Sequence, residues 1–217
     1  MLEMDIEAIK AWARSKMLEV DESPLEPGYR WYHGVRTAQL AIHLAKEMGL
    51  EVDIKVLELG GLLHDIGKAG YRGSEPHGPR GANIIRREIG HLFSPDKLEV
   101  VTAIVANHYQ RPKSKYWRGK KAPNFPPEVL LVQDADILDH MGANAIWLAF
   151  HYGTAEGRNQ AAAIQHFYQV DPPWYEECLA SLNYEISRRE LEHRLNFAHH
   201  FYQQWEREEG GKLTCLS

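Results

Sequence analysis

The chain has 217 residues, 44% of them hydrophobic and 25% charged, a balance that excludes wholesale disorder and suffices for one domain with a sizeable core. Its net charge of −5 argues against broad nonspecific nucleic-acid binding, and the acidic start MLEMDIEAIK lacks the basic and then apolar character of a secretion signal. The longest aromatic-aliphatic run, Ile146 to Phe150, is far too short to cross a bilayer, and two cysteines in no metal or redox spacing fit a disulfide-free cytoplasmic protein.

In chain order the pattern is nearly all helical. Ile6 to Leu18 has helical periodicity without a breaker, and Pro24 and Pro27 mark a loop. His33 to Met48 repeats Leu40, Leu44 and Met48 at four-residue steps and closes at Gly49. Asp53 is placed to cap a helix through Val56, Leu59, Leu63 and Ile66. Gly67 to Pro79 holds four Gly and two Pro and reads as a long loop, followed by a short helix from Arg80 to Ile89. Ser94 and Pro95 open a helix with Leu98, Val101, Val105 and His108 on one face. After an Arg111–Pro127 loop, Glu128 to about His151 is helical with a break expected near Gly142. A loop over Gly153–Gly157 and a short helix from Gln160 to Tyr168 follow. Pro172-Pro173 then starts one long helix from Trp174 to about Glu209, with a frayed tail behind it. No hairpin or internal repeat interrupts this, so the fold class is all-α.

The chemistry concentrates in histidines and aspartates, and the 12 histidines are numerous for this length. His64-Asp65, in LLHDIGK, follows an apolar helical run, an odd place for two polar side chains, because a buried carboxylate is costly unless paired or bound to metal. His33 opens an upstream helix, His77 precedes another, and His108 lies on an apolar stripe. Asp134, Asp136 and Asp139 fall within LLVQDADILDH. Each alone has a bland reading: a hydrogen-bonded core histidine, a solvated loop residue, a wet acidic face. Their spread over successive helices favours convergence.

Together these residues resemble the HD-domain superfamily of metal-dependent phosphohydrolases, whose pattern H…HD…D is present as His33…His64-Asp65…Asp136. YHGVRTAQLA, LLHDIGK, EPHGPRGANII and VQDADILDHMGA carry the likeness, over roughly residues 28–150. The resemblance implies an HD-domain/phosphodiesterase-like helical bundle and makes Asp136, rather than Asp134, the ligand. It divides the chain into an N-terminal helix and loop over 1–27, a catalytic core over 28–152 and a helical extension over 153–217 that packs on the core, one globular domain in all. Two His and two Asp suit a divalent ion among Fe, Mn, Co, Ni, Zn or Mg, with open positions for water and substrate. If His77 and His108 join, the set can hold two ions bridged by Asp65, as in part of the superfamily. Lys68 resembles a lysine that some relatives direct at substrate phosphate, or it closes a helix end. Arg36, one helical turn after His33, can reach a phosphate or pair with an acid.

The segment RPKSKYWRGKK, Arg111 to Lys121, has six basic residues of eleven, and it can recruit a phosphate-bearing base or be a solvated loop. The chain lacks the GYP segment and doubled His of the cyclic-dinucleotide branch and has ADILDH where the stringent-nucleotide hydrolases have ADRLHN. The expected activity is therefore hydrolysis of a nucleotide or other small phosphate ester, with Asp65, Lys68 and Arg36 in catalytic roles. No duplex nucleic acid and no membrane are expected as partners. Two other classes compete: a di-iron oxygenase on the same scaffold, and a non-enzymatic metal or nucleotide sensor.

Overall fold

The computed structural model describes residues 4–111 and 124–213. Ten α-helices run through them: α1 Ile6–Met17, α2 Tyr29–Glu47, α3 Ile54–Leu63, α4 His77–Ile89, α5 Pro95–Asn107, α6 Pro127–Asp139, α7 Ala143–Ala155, α8 Gln160–Gln169, α9 Pro172–Ser181 and α10 Glu185–Glu209. No strand occurs among the described residues, and no helix there is long and apolar enough to cross a membrane.

The helix α3 lies at the centre because its sequence, IKVLELGGLL, is apolar nearly all round. It packs against α1, α2, α5 and α6. Leu57, Leu59 and Leu63 are fully buried with Ile104, Val105, Leu131 and Val132. Burying each of these aliphatic side chains is worth about 1.5–3 kcal/mol. Asp53 starts α3 by accepting hydrogen bonds from the backbone N–H groups of Lys55 and Val56, and Pro95 occupies the first turn of α5. The C-terminal helix α10 lies against α6, α7 and α8.

Several boundaries differ from the sequence expectation, beginning with α2, which starts at Tyr29 and not at His33. The helix α4 begins at His77, not Arg80, so His77 sits in a first helical turn. Gly67 makes room for it: a Cβ there would lie 1.9 Å from the His77 carbonyl oxygen. The break expected near Gly142 is present: α6 ends at Asp139 and α7 starts at Ala143, and the φ of 70° at Gly142 between them favours glycine. The second piece continues through Gly153 to Ala155. The expected final helix is two, α9 and α10, because Leu182 turns extended and Asp134 captures the next two backbone amides. Its Oδ1 accepts from Asn183 N at 2.9 Å and its Oδ2 from Tyr184 N at 3.1 Å. Asp134 is therefore neither a solvated face nor a site residue. It is a fully buried acceptor, its carboxyl pushed up by burial, that docks the start of α10 on α6.

Candidate metal centre

Three histidines occupy the same structural position in three helices. His64 closes α3, His108 closes α5 and His140 closes α6. The last carbonyls of a helix have no intrahelical donor, and each of these imidazoles supplies one. His64 Nδ1 lies 2.7 Å from Gly61 O, His108 Nδ1 2.8 Å from Val105 O, and His140 Nδ1 2.8 Å from Asp136 O. A carbonyl only accepts, so Nδ1 carries the proton in each ring and Nε2 keeps its lone pair.

The Nε2 atoms of His64 and His108 each meet a further histidine around Asp65. His33, from the second turn of α2, presents Nδ1 to Asp139 Oδ2 at 2.7 Å and its own Nε2 to His64 Nε2 at 3.1 Å. Asp136 Oδ1 stands 3.2 Å from His33 Nε2 and 3.6 Å from His64 Nε2. On the other side, His77 Nε2 and His108 Nε2 are 2.9 Å apart. Asp65 lies between the pairs. Its Oδ2 is 3.8 and 3.7 Å from the Nε2 atoms of His33 and His64, and its Oδ1 is 3.4 Å from those of both His77 and His108.

This constellation fits divalent metal on its own terms. Asp65 Oδ1 is buried and receives no hydrogen bond among the described residues, a loss of about 1–3 kcal/mol if left so. The Nε2 atoms of His33 and His64 face each other across 3.1 Å, an approach that one proton or one metal cation between them would relieve. Two groups have donor atoms all within 4.8 Å of one another: His33, His64 and Asp136, and His64, Asp65 and His108. Nitrogen and carboxylate donors without thiolate suit Fe, Mn, Co, Ni or Zn, and the oxygens also Mg.

The electrostatics keep the donors in ligand form. Burial opposes charge on Asp65, yet Lys68, Arg30 and His64 hold its carboxyl well below the usual range. Asp136 is held down likewise, against burial, by Arg111, His33 and His64. Burial and the neighbouring His108 push His77 down to about 3, and burial lowers His108. His140 is pushed down to about 4 by burial and by His33. Metal binding needs neutral imidazole, so these rings need lose no proton near neutrality. His33 is the exception: burial disfavours its charge, but Asp136 and Asp139 outweigh that and raise it.

Each site residue expected from sequence has a definite place. His33, His64, Asp65, Asp136, His77 and His108 form the cluster just described. Lys68 Nζ lies 3.0 Å from Asp65 Oδ2 and borders the cleft above the cluster. Arg36 lies behind His33, forked onto Asp139 at 2.7 and 3.1 Å. Of the basic segment, Arg111 pairs with Asp136 and borders the cleft, and residues 112–121 lie outside the described residues.

Sequence reasoning passed over three residues. Asp139, which it left as a possible wet acidic face, is buried, accepts from His33 and Arg36, and is held to about 2 against burial by them. His140 touches Tyr29 Oη at 3.0 Å and lines the cleft. Arg30 is buried between Glu22 and Asp65 and pairs with both. Spacing could have shown all three: Asp139 and His140 follow Asp136 by three and four residues, and Arg30 precedes His33 by three, each on the same helical face. The cleft has a volume of about 840 Å³ and is bordered by Lys68, His77, His108, Arg111, Asp136 and His140.

An all-helical protein with paired histidines around a shared aspartate is one built to hold divalent metal. The sequence model of the HD domain family matches residues 30–141, and the chain belongs to that family. An HD-superfamily hydrolase from Bacillus thuringiensis superposes with a TM-score of 0.68 at 25% identity, covering 95% of this chain and 97% of that one. Bacillus subtilis YpgQ, solved in complex with ADP, has a TM-score of 0.62 at 21% identity, covers 94% of this chain and 97% of its own, and shares the fold. A ribonuclease Y from Pseudothermotoga lettingae is 37% identical over 109 residues, 49% of this chain but only 17% of the ribonuclease. The chain thus spans a small part of that curated relative.

Proposed function

We propose that this chain is a metal-dependent phosphohydrolase acting on a nucleotide or another small phosphate ester. The observation that carries the reading is Asp65, buried beside a cleft that His77, His108 and Asp136 line and cations edge, whose two oxygens each face a pair of imidazole nitrogens, one of those oxygens without a hydrogen bond among the described residues. In this reading His33, His64, Asp65 and Asp136 hold one divalent ion, and Asp65, His77 and His108 a second. Bound there, divalent metal supplies hydroxide at neutral pH and polarises a phosphoryl oxygen.

The protein's own groups do the rest. Asp139 holds His33 Nδ1–H and so aims Nε2 inward, and Arg36 holds Asp139, which makes both positioning residues. The carbonyls of Gly61 and Val105 fix the other rings in the same way. Lys68 and Arg111 offer N–H donors on the rim, where the oxygens of a phosphate would sit. Bacillus subtilis YpgQ, solved in complex with ADP, and the ribonuclease Y relative support phosphate chemistry.

The test is elemental analysis of freshly purified protein, followed by a panel of phosphomonoesters and phosphodiesters with the metal found. Phosphate or nucleotide release dependent on that metal is expected. Two irons per chain with oxygen uptake and no ester cleaved would overturn the proposal in favour of an oxygenase. Tight metal binding with no turnover of any kind would favour a sensor.

A further inference from the structure

Next to the cleft lies a second cavity that the phosphate chemistry does not use. It has a volume of about 350 Å³ and meets the cleft along His140 and Trp174, which border both. Its walls are aromatic: Phe167 and Tyr202 stack at 3.9 Å with 10° between their planes, and Tyr175 stands beside Trp174 at 5.4 Å. Trp174 is 42% exposed, a large apolar surface left at the mouth.

Several polar groups border this cavity, among them Glu156, Arg158, His166 and Asp171. Arg158 pairs with Glu156 through Nη2 at 2.9 Å, while its Nε is buried and without a hydrogen-bond partner among the described residues. Asp171 receives His166 Nδ1 at 3.2 Å on Oδ1 and Tyr175 Oη at 3.4 Å on Oδ2, which leaves acceptor capacity on both oxygens. A guanidinium N–H and a carboxylate beside an apolar space penalise a purely apolar occupant and reward one whose edge carries an acceptor and a donor. A flat heteroaromatic ring with such an edge also suits the exposed face of Trp174.

From this we infer that the α7–α10 cavity binds the base of a nucleotide substrate, with the phosphate over the histidine cluster, Trp174 as the stacking surface and Asp171 and Arg158 reading the ring edge. The inference rests on the phosphohydrolase reading and narrows its substrate to nucleotides. A sugar phosphate without a base would leave the exposed face of Trp174 and the free acceptor capacity of Asp171 unused.

Calorimetric titration of the full, metal-loaded chain with adenosine, guanosine, cytidine and ribose tests this without turnover. At least one nucleoside should bind, and ribose should not. Trp174→Ala, at an exposed position, should weaken that nucleoside roughly tenfold or more by removing a stacking partner. Asp171→Asn replaces an acceptor by an amide that also donates, so it should change the ranking of the bases, which loss of folding would not do. Absence of heat with every nucleoside, or affinities unchanged in both variants, overturns the inference. The two readings fail separately. A chain that binds nucleosides but cleaves no ester keeps the base site and loses the hydrolase; one that cleaves esters but binds no nucleoside loses only the base site.

Discussion

The two histidine pairs of the cluster are held to different tolerances. His33 and His64 are fully buried, and both Nδ1 atoms are fixed, one by a carboxylate that is itself gripped by Arg36 and one by a helix-end carbonyl. In the other pair His108 is fixed in the same manner, but His77 is 23% exposed, begins a helix after a glycine-rich loop and borders the cleft. Pre-positioned donors bind metal without reorganising, whereas a partly exposed ligand at a helix start costs ordering each time. On the proposed reading the first pair would hold its ion more tightly than the second. Asp65 belongs to both, and Asp136 to the first.

That contrast can be broken most decisively at Asp65. Asp65→Ala should strip metal from both halves and abolish turnover, and His64→Ala should do nearly the same. Full metal content and full activity in either variant, by elemental analysis and a turnover assay, would show that the cluster is not the centre. Next comes the pair of α6 acids. Asp136→Asn should lose activity by several orders of magnitude with little change in melting. Asp134→Asn should do the reverse, costing about 1–3 kcal/mol of stability through the weakened grip on the Asn183 and Tyr184 amides. Denaturant melts together with rates separate the two, and the opposite ranking would shift the site by half a helical turn.

Smaller substitutions sharpen the contrast. Asp139→Asn should lower metal affinity of the first half by about 10–100-fold, the usual worth of a group that orients a ligand imidazole. His77→Ala should instead remove only the weaker of two ions, visible as stoichiometry falling from two to one; a chain that holds a single ion before and after would confine the centre to the first pair. The smallest effect is expected far from the cleft. Asp53 caps the helix that ends in His64, and Asp53→Ala should cost about 1 kcal/mol at neutral pH with metal content unchanged. Hydrogen bonds and the pairing with Lys97 outweigh burial and hold the Asp53 carboxyl below its ordinary value. The stabilisation is therefore complete above the unfolded-state pKa and lost as pH falls through the lower folded one. Melts from pH 7 downward should show wild type and variant converging in that acidic window.

How much of this could be read in advance depended on range. The helical repeats of α2, α3 and α5 are local, so their periodicity exposed them, and the His64-Asp65 pair stood out because it ended an apolar run. The division between α9 and α10 could not be seen, since the group that causes it, Asp134, lies 49 residues away in sequence. The early start of α4 depended on a contact between Gly67 and His77 that no propensity encodes. Asp139 and Arg30 failed for another reason. Their spacing was readable, but an acid and an arginine on a helix face are usually solvated, and only their burial beside His33 and Asp65 gives them a task.

The three helix ends that carry His64, His108 and His140 have an electrostatic consequence. Each α-helix carries a macrodipole equivalent to roughly half an elementary charge, negative at the C-terminus. The C-termini of α3, α5 and α6 therefore point negative potential at one place, already occupied by the anions Asp65 and Asp136. Such a field favours a dication, with Lys68, Arg30 and Arg111 offsetting part of the negative charge. On the proposed reading the metal precedes the substrate, and inorganic phosphate should bind the metal-loaded chain more tightly than the metal-free chain in titration.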